Sequence, residues 1–126
     1  MIPKLAYRMI EEVVGEENVS DDPVILDSYS FQYLAELQEG GAKWLPRPAA
    51  VVLPGSTEEV QAVVKICNRF NIKFKAHSTG WGVWSGVGRE GVILLDLRRM
   101  NRIIMIDEDN MYACLLYTSP SPRDRG

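Results

Sequence analysis

Residues 49–76, AAVVLPGSTEEVQAVVKICNRFNIKFKA, constrain the fold more than any other stretch of the chain. The apolar run AAVVLP stops at a proline, which suits a buried strand entering a turn. Ser56 then stands where a helix N-cap would, and Glu59, three positions on, completes a capping-box pattern. Glu58 and Glu59 fall in the first turn, where the helix dipole favours negative charge. Val60, Val63, Val64 and Cys67 recur at i, i+3, i+4 and i+7, an apolar stripe that predicts an amphipathic helix stopping near Asn71. On that stripe Cys67 reads as a packed core residue rather than a nucleophile, because buried thiols are usually inert. IKFKA, residues 72–76, alternates apolar with basic residues and predicts a strand. Strand, helix and strand in this order make a βαβ unit, whose right-handed crossover leaves the two strands parallel.

The flanking segments extend this pattern. GVILLDL is a nearly continuous apolar run suited to a strand buried on both faces. Asp96, near the end of that run, and Arg98 and Arg99 after it read as surface or turn residues. RRMNRIIMID gives a short polar connection and a strand around Ile103–Ile106, and EDNMYA a turn and the start of another strand. Asp107, Glu108 and Asp109 read as a solvated turn rather than a metal cluster. Towards the N-terminus, Leu5, Met9, Ile10, Val13 and Val14 predict a helix from about Pro3 to Val14, with Gly15 as its C-cap. SDDPVILDSYSFQYL reads as a short helix plus irregular chain, and QEGGAKW as a loop.

Composition closes off several classes of function. The chain has 126 residues, 46% of them hydrophobic and 25% charged, which suits one soluble globular domain or part of one. A net charge of -3 argues against nucleic acid as the main partner. No apolar run is long enough to span a bilayer, and the N-terminal segment lacks the apolar block of a signal peptide. Two cysteines, Cys67 and Cys114, make neither a disulfide framework nor a metal site, so the cytoplasm is the expected compartment. Residues 114–126, CLLYTSPSPRDRG, break the alternation begun by Met111 to Ala113. A disordered extension has this composition. The string also resembles one reading frame of the adaptor used in transposon-based sequencing libraries, so the tail is expected to be non-native and the natural chain to run on past Ala113.

The stretch KAHSTGWGVWSGVG, residues 75–88, is where chemistry is expected. Gly80 and Gly82 can take positive φ and aim successive N–H groups into one concavity, and Ser78, Thr79 and Ser85 add hydroxyls. Such a nest suits a pyrophosphate. The stretch lacks the Gly-Lys-Ser/Thr ending of a Walker loop and does not fit the G-x-G-x-x-G dinucleotide fingerprint. On the residues alone, a structural turn packed by Trp81 and Trp84 remains the competing reading.

RPAAVVLPGSTEEVQAVVKICNRFNIKFKAHSTGWG followed by VILLDLRRMNRIIMID resembles the FAD-binding domain of the p-cresol methylhydroxylase/vanillyl-alcohol oxidase superfamily. The chain is most similar to its FAD-linked oxidase branch, which contains the glycolate oxidase D subunit and D-lactate dehydrogenases. The resemblance implies an α+β fold: an N-terminal helical lead-in over residues 1–45, then the βαβ subdomain and the start of a second subdomain over 46–113. It implies a cofactor, FAD, whose pyrophosphate lies under the backbone of Ser78, Thr79, Gly80, Trp81 and Gly82, with Ser85 and Gly86 just after. Pro54 matches a family position near the cofactor, or is a plain strand-ending turn. His77 stands at the family's arginine place, as a phosphate contact or a solvated loop histidine. Trp81 stands where covalently flavinylated members carry histidine, so non-covalent FAD is expected; Trp81 and Trp84 either contact the cofactor or pack between subdomains.

The implied activity is oxidation of a small-molecule substrate, a 2-hydroxy acid, with an electron-acceptor protein or subunit as a further partner. A para-phenolic alcohol is the alternative substrate, and a non-catalytic nucleotide- or phosphate-binding module the alternative from another class. The resemblance places the catalytic residues in a C-terminal cap domain that the sequence does not contain, so none is named.

Overall fold

The computed structural model describes residues 2–30, 46–78, 87 and 89–115. Helix α1, Lys4–Val14, buries Ala6, Ile10 and Val14 on one stripe. It ends at Gly15, whose φ of 94° and ψ of 148° lie in a region that only glycine occupies without strain. The Gly15 N–H donates to the Glu11 carbonyl at 2.8 Å, and the Asn18 amide donates to the Val14 carbonyl at 2.8 Å. Both bonds satisfy carbonyls that the helix end would otherwise leave open.

A 3-10 turn, Glu16–Asn18, leads into the two-residue strand β1, Val19–Ser20, and then into helix α2, Pro23–Ser28. Asp22 caps α2 by accepting from the Val24 N–H at 2.9 Å, with Pro23 in the first turn, where its missing N–H costs nothing.

Strand β2 is Ala50–Val52, helix α3 is Thr57–Arg69 and strand β3 is Lys73–His77. The Ser56 hydroxyl accepts from the Glu59 N–H at 3.1 Å, and Glu59 Oε1 accepts from the Gly55 N–H at 2.9 Å. The capping box is therefore present with one change, since the return bond reaches Gly55, one residue before the cap. Asn71, at φ 55°, turns the chain out of α3 in the left-handed region that asparagine tolerates. The buried stripe of α3 is Val63, Ile66 and Cys67, with Val60 and Val64 at its half-buried margins. Burial pushes the Cys67 thiol pKa up, as befits a core residue.

Strand β4, Val92–Asp96, is buried at every position. It pairs in parallel with β2 on one side and with β3 on the other, and β1 pairs antiparallel with β2. The sheet order is β1-β2-β4-β3. The two strands of the βαβ unit are thus parallel, as expected, but not neighbours: α3 carries the chain past the place that β4 later fills.

Alternation in β2 and β4 divides the core. Ala50, Val52, Ile93 and Leu95 pack with Ala6, Ile10, Val63, Ile66 and Cys67 on the side of α1 and α3. Val51, Val92 and Leu94 pack with Leu26 and Val87 on the other side, where Tyr29 and Leu53 close the cluster. Full burial of each Ile, Leu or Val contributes about 1.5–3 kcal/mol, which accounts for the unbroken apolar run in β4.

Strands β5, Ile103–Asp107, and β6, Tyr112–Leu115, form a separate antiparallel hairpin. β6 continues through Cys114 and Leu115, the first two residues of the segment set apart in the sequence, and Leu115 pairs with Ile103. In the turn, Asp107 accepts from the backbone and side chain of Asn110, which holds its carboxyl below the usual carboxylate range. Ile103, Ile104, Met105, Ile106, Met111 and Tyr112 are all exposed on this hairpin.

Candidate cofactor site

The three parallel strands end on one edge of the sheet, and in open α/β sheets the carboxyl edge is where ligands bind. β2 runs out through Leu53 into Pro54, which is fully buried. β3 ends at His77, with Ser78 immediately after, both half-buried. β4 ends at Asp96, whose register partner on β3 is His77. The Leu97 N–H donates to the His77 carbonyl at 2.9 Å, carrying the pairing one step past the strand. Three of the anticipated cofactor-binding residues, Pro54, His77 and Ser78, are therefore brought to this edge. Thr79, Gly80, Trp81, Gly82, Ser85 and Gly86 lie outside the described residues, as does Trp84.

Behind the edge is a polar cluster that sequence reasoning missed. Asp96 is not a surface or turn residue: it is fully buried, because it continues the inward face of Val92 and Leu94 at the period of a strand. Its carboxylate is satisfied on three counts. The Tyr29 hydroxyl donates to Oδ2 at 2.5 Å, the Arg98 Nε donates to Oδ2 at 2.9 Å, and the Arg98 backbone N–H donates to Oδ1 at 3.0 Å. A buried carboxylate left without partners would cost several kcal/mol, so these bonds are a condition of its burial.

Arg98 Nη2 also donates to the Tyr29 hydroxyl oxygen at 3.2 Å. Desolvation, together with the bond to Asp96 and its charge, pushes the Tyr29 phenol up to about 12, against a smaller opposing effect of Arg98. The Tyr29 ring meets the His77 imidazole edge-on, with centroids 5.4 Å apart and planes at 72°. One signal for Asp96 was present in the sequence, an acid two positions beyond Leu94 on an otherwise apolar strand. Tyr29 carried none.

Beside this cluster, a cavity of about 440 Å³ lies between Gly55–Glu58 at the start of α3 and Arg99, Asn101 and Arg102. The Arg99 guanidinium donates to the Leu53 carbonyl at 2.6 Å and pairs with Glu59 at 3.6 Å. It packs so closely over Gly55 that a Cβ there would stand 2.6 Å from Nη2.

Comparison with known proteins places this arrangement. Residues 48–115 match the family model described as an FAD binding domain. The chain belongs to that family. It is 34% identical over 98 residues to the 4-cresol dehydrogenase [hydroxylating] flavoprotein subunit of Pseudomonas putida, covering 75% of this chain and 19% of the relative. It is 28% identical over 114 residues to the glycolate oxidase subunit GlcD of Bacillus subtilis (strain 168), covering 90% of this chain and 23% of the relative. Among solved structures, p-cresol methylhydroxylase with substrate bound superposes with a TM-score of 0.71 at 31% identity, over 89% of this chain and 22% of that one. The chain thus spans about a fifth of the length of these curated relatives. The mixed α+β architecture read from the sequence is that of the family, and FAD is its cofactor. Among the described residues, no helix is long and apolar enough to cross a membrane.

Proposed function

We propose that this chain supplies the pyrophosphate-binding edge of a flavin-dependent oxidoreductase whose substrate is a 2-hydroxy acid. The observation that carries the reading is the convergence of Pro54, His77–Ser78 and Asp96 at the carboxyl edge of three parallel strands, directly before the glycine-rich stretch. The donor set suits a diphosphate. Arg99 and Arg102 line the adjoining cavity, and Asp96, the carboxylate ending β4, is buried and bonded to Arg98 and Tyr29 rather than facing a ligand.

Bound FAD supplies the two-electron acceptor for alcohol oxidation, and the protein supplies binding and orientation. Ser78, Thr79, Gly80, Trp81 and Gly82 would hold the phosphates through backbone N–H groups and hydroxyls, with Ser85 and Gly86 following and Pro54 and His77 flanking. The attachment is non-covalent as far as the glycine stretch is concerned, since Trp81 offers no imidazole. Residues that bind the substrate and take its proton belong to the part of the protein beyond this chain. The cytoplasm is the proposed compartment, on the sequence's two cysteines, which do not form a disulfide framework pattern. A partner subunit is proposed from the name of the Pseudomonas relative, itself a flavoprotein subunit.

The hydroxy-acid reading is supported by the likeness to a glycolate oxidase subunit, which runs over 90% of the chain. A second reading, a para-substituted phenol as substrate, is favoured by the higher identity, 34%, to the cresol dehydrogenase subunit. Anaerobic mixing of the full-length flavoprotein with glycolate or D-lactate, and separately with 4-cresol, tests both. Bleaching of the visible flavin bands by a hydroxy acid alone is expected. Bleaching by the phenol alone would establish the second reading, and bleaching by neither would favour a non-catalytic nucleotide-binding module.

A further inference from the structure

We propose that Tyr29 is a positioning residue for the cofactor, acting through His77 and held in place by Asp96. The inference rests on the reading of the glycine stretch as the pyrophosphate site. Tyr29 lies just past α2, in the lead-in, whereas His77 ends β3 and immediately precedes that stretch. Nothing in the local chain brings them together. What does so is Asp96, which sits beside His77 in register and accepts the Tyr29 phenol at 2.5 Å from the inward face of β4.

Three restraints then act on one ring. The hydroxyl is bonded to Asp96, Arg98 Nη2 donates to the same oxygen at 3.2 Å, and the ring packs in a T-shaped contact with the imidazole, centroids 5.4 Å apart. Asp96 is itself fixed by the backbone N–H and Nε of Arg98. A phenol restrained at both ends can limit the orientations of its neighbour, so His77 enters the glycine stretch from a defined pose. Site residues held in place by a supporting layer bind more tightly, because less freedom is lost on binding. The phenol remains protonated well above neutral pH, so this donor is present throughout the working range.

The test is a double-mutant cycle in the full-length protein, read as the FAD dissociation constant of the apoprotein well below its melting temperature. Tyr29→Leu removes both ring and hydroxyl but leaves Asp96 its two bonds from Arg98, and His77→Ala removes the partner ring. Each single change is expected to weaken FAD binding about tenfold, and the double variant no more than either alone, since coupled residues are non-additive. Tyr29→Phe, which keeps the ring but not its bond to Asp96, is expected to weaken FAD binding about threefold. It carries the cycle with His77→Ala if the leucine variant does not fold.

Additive losses, or an unchanged dissociation constant in Tyr29→Leu or Tyr29→Phe, would overturn the inference. Gly80→Val separates this from the underlying reading. If that variant loses FAD while the Tyr29 and His77 effects add, only the positioning role fails. If Gly80→Val binds FAD as the parent does, the pyrophosphate reading fails and the positioning role with it.

Discussion

Tyr29 and Asp96, 67 positions apart in the chain, meet through a 2.5 Å hydrogen bond on the inner face of the sheet. The bond joins the helical lead-in to the end of β4 and makes the burial of a carboxylate tolerable. Removing the acceptor should therefore be costly. Asp96→Ala strips partners from the Tyr29 hydroxyl and from Arg98, a loss of about 2 kcal/mol for hydrogen bonds to a charged group. The full cost of breaking a buried ion pair does not apply, because the Arg98 side chain is 63% exposed. Urea denaturation of the parent and variant measures the difference, and a change below about 0.5 kcal/mol would mean the cluster does not hold the edge together.

The same bond sets an alkaline limit on stability. The Tyr29 phenol is raised from 10.0 to about 12 in the folded chain, so the folded state keeps a proton there that the unfolded state releases first. Its contribution is fully present below pH 10.0 and is lost as pH rises towards about 12. Melting temperature followed across that window should fall less steeply in Tyr29→Phe than in the parent. Identical slopes would place the phenol in water.

Helix α3 depends on its cap. Ser56→Ala leaves the Glu59 N–H without its acceptor, and N-cap losses of this kind cost about 1 kcal/mol. Glycine should substitute for Ser56 at a cost of only a few tenths of a kcal/mol. Thermal melts of the two variants, compared with the parent, give the ordering.

Gly15 is a position where a side chain is excluded by backbone conformation rather than by space. At φ 94° and ψ 148°, Gly15→Ala should destabilise by about 1–3 kcal/mol. Equal stability of the alanine variant in a denaturant titration would show that the α1 terminus adopts another geometry in solution.

Much of this architecture was legible because each element announces itself locally. The Ser56–Glu59 pattern, the stripe through Val63 and Cys67 and the unbroken VILLD run each name one element without reference to the others. β1 was not legible, because two residues, Val19 and Ser20, carry no period. Nor was the insertion of β4 between β2 and β3, since the order of parallel strands is set by packing and not by any short motif. The site divides in the same way. That Pro54, His77 and Ser78 lie at the carboxyl ends of strands was legible because each ends or follows an apolar or alternating run. Asp96 and Tyr29 were passed over because their importance lies in a contact across 67 positions. Ile66 was missed from the α3 stripe for a smaller reason: the stripe was counted from Val60, whereas the buried face is centred on Val63, from which Ile66 and Cys67 are i+3 and i+4.

The mode of flavin attachment has a direct readout. On the proposal that FAD is bound without a covalent link to residues 79–86, which contain no histidine, acid precipitation of the full-length holoprotein should leave no flavin on peptides spanning them. Yellow, fluorescent peptide from that segment would contradict the assignment.

The carboxyl edge of β2, β4 and β3, with the glycine-rich residues that follow His77 in sequence, is proposed to hold the pyrophosphate of FAD. Titration of FAD into the full-length apoprotein, followed by flavin fluorescence with ADP and then adenosine as competitors, tests it most directly. ADP, which carries the diphosphate, is expected to displace FAD at least about tenfold more effectively than adenosine, and Gly80→Val to abolish this preference. Equal competition by ADP and adenosine in the parent protein would contradict it.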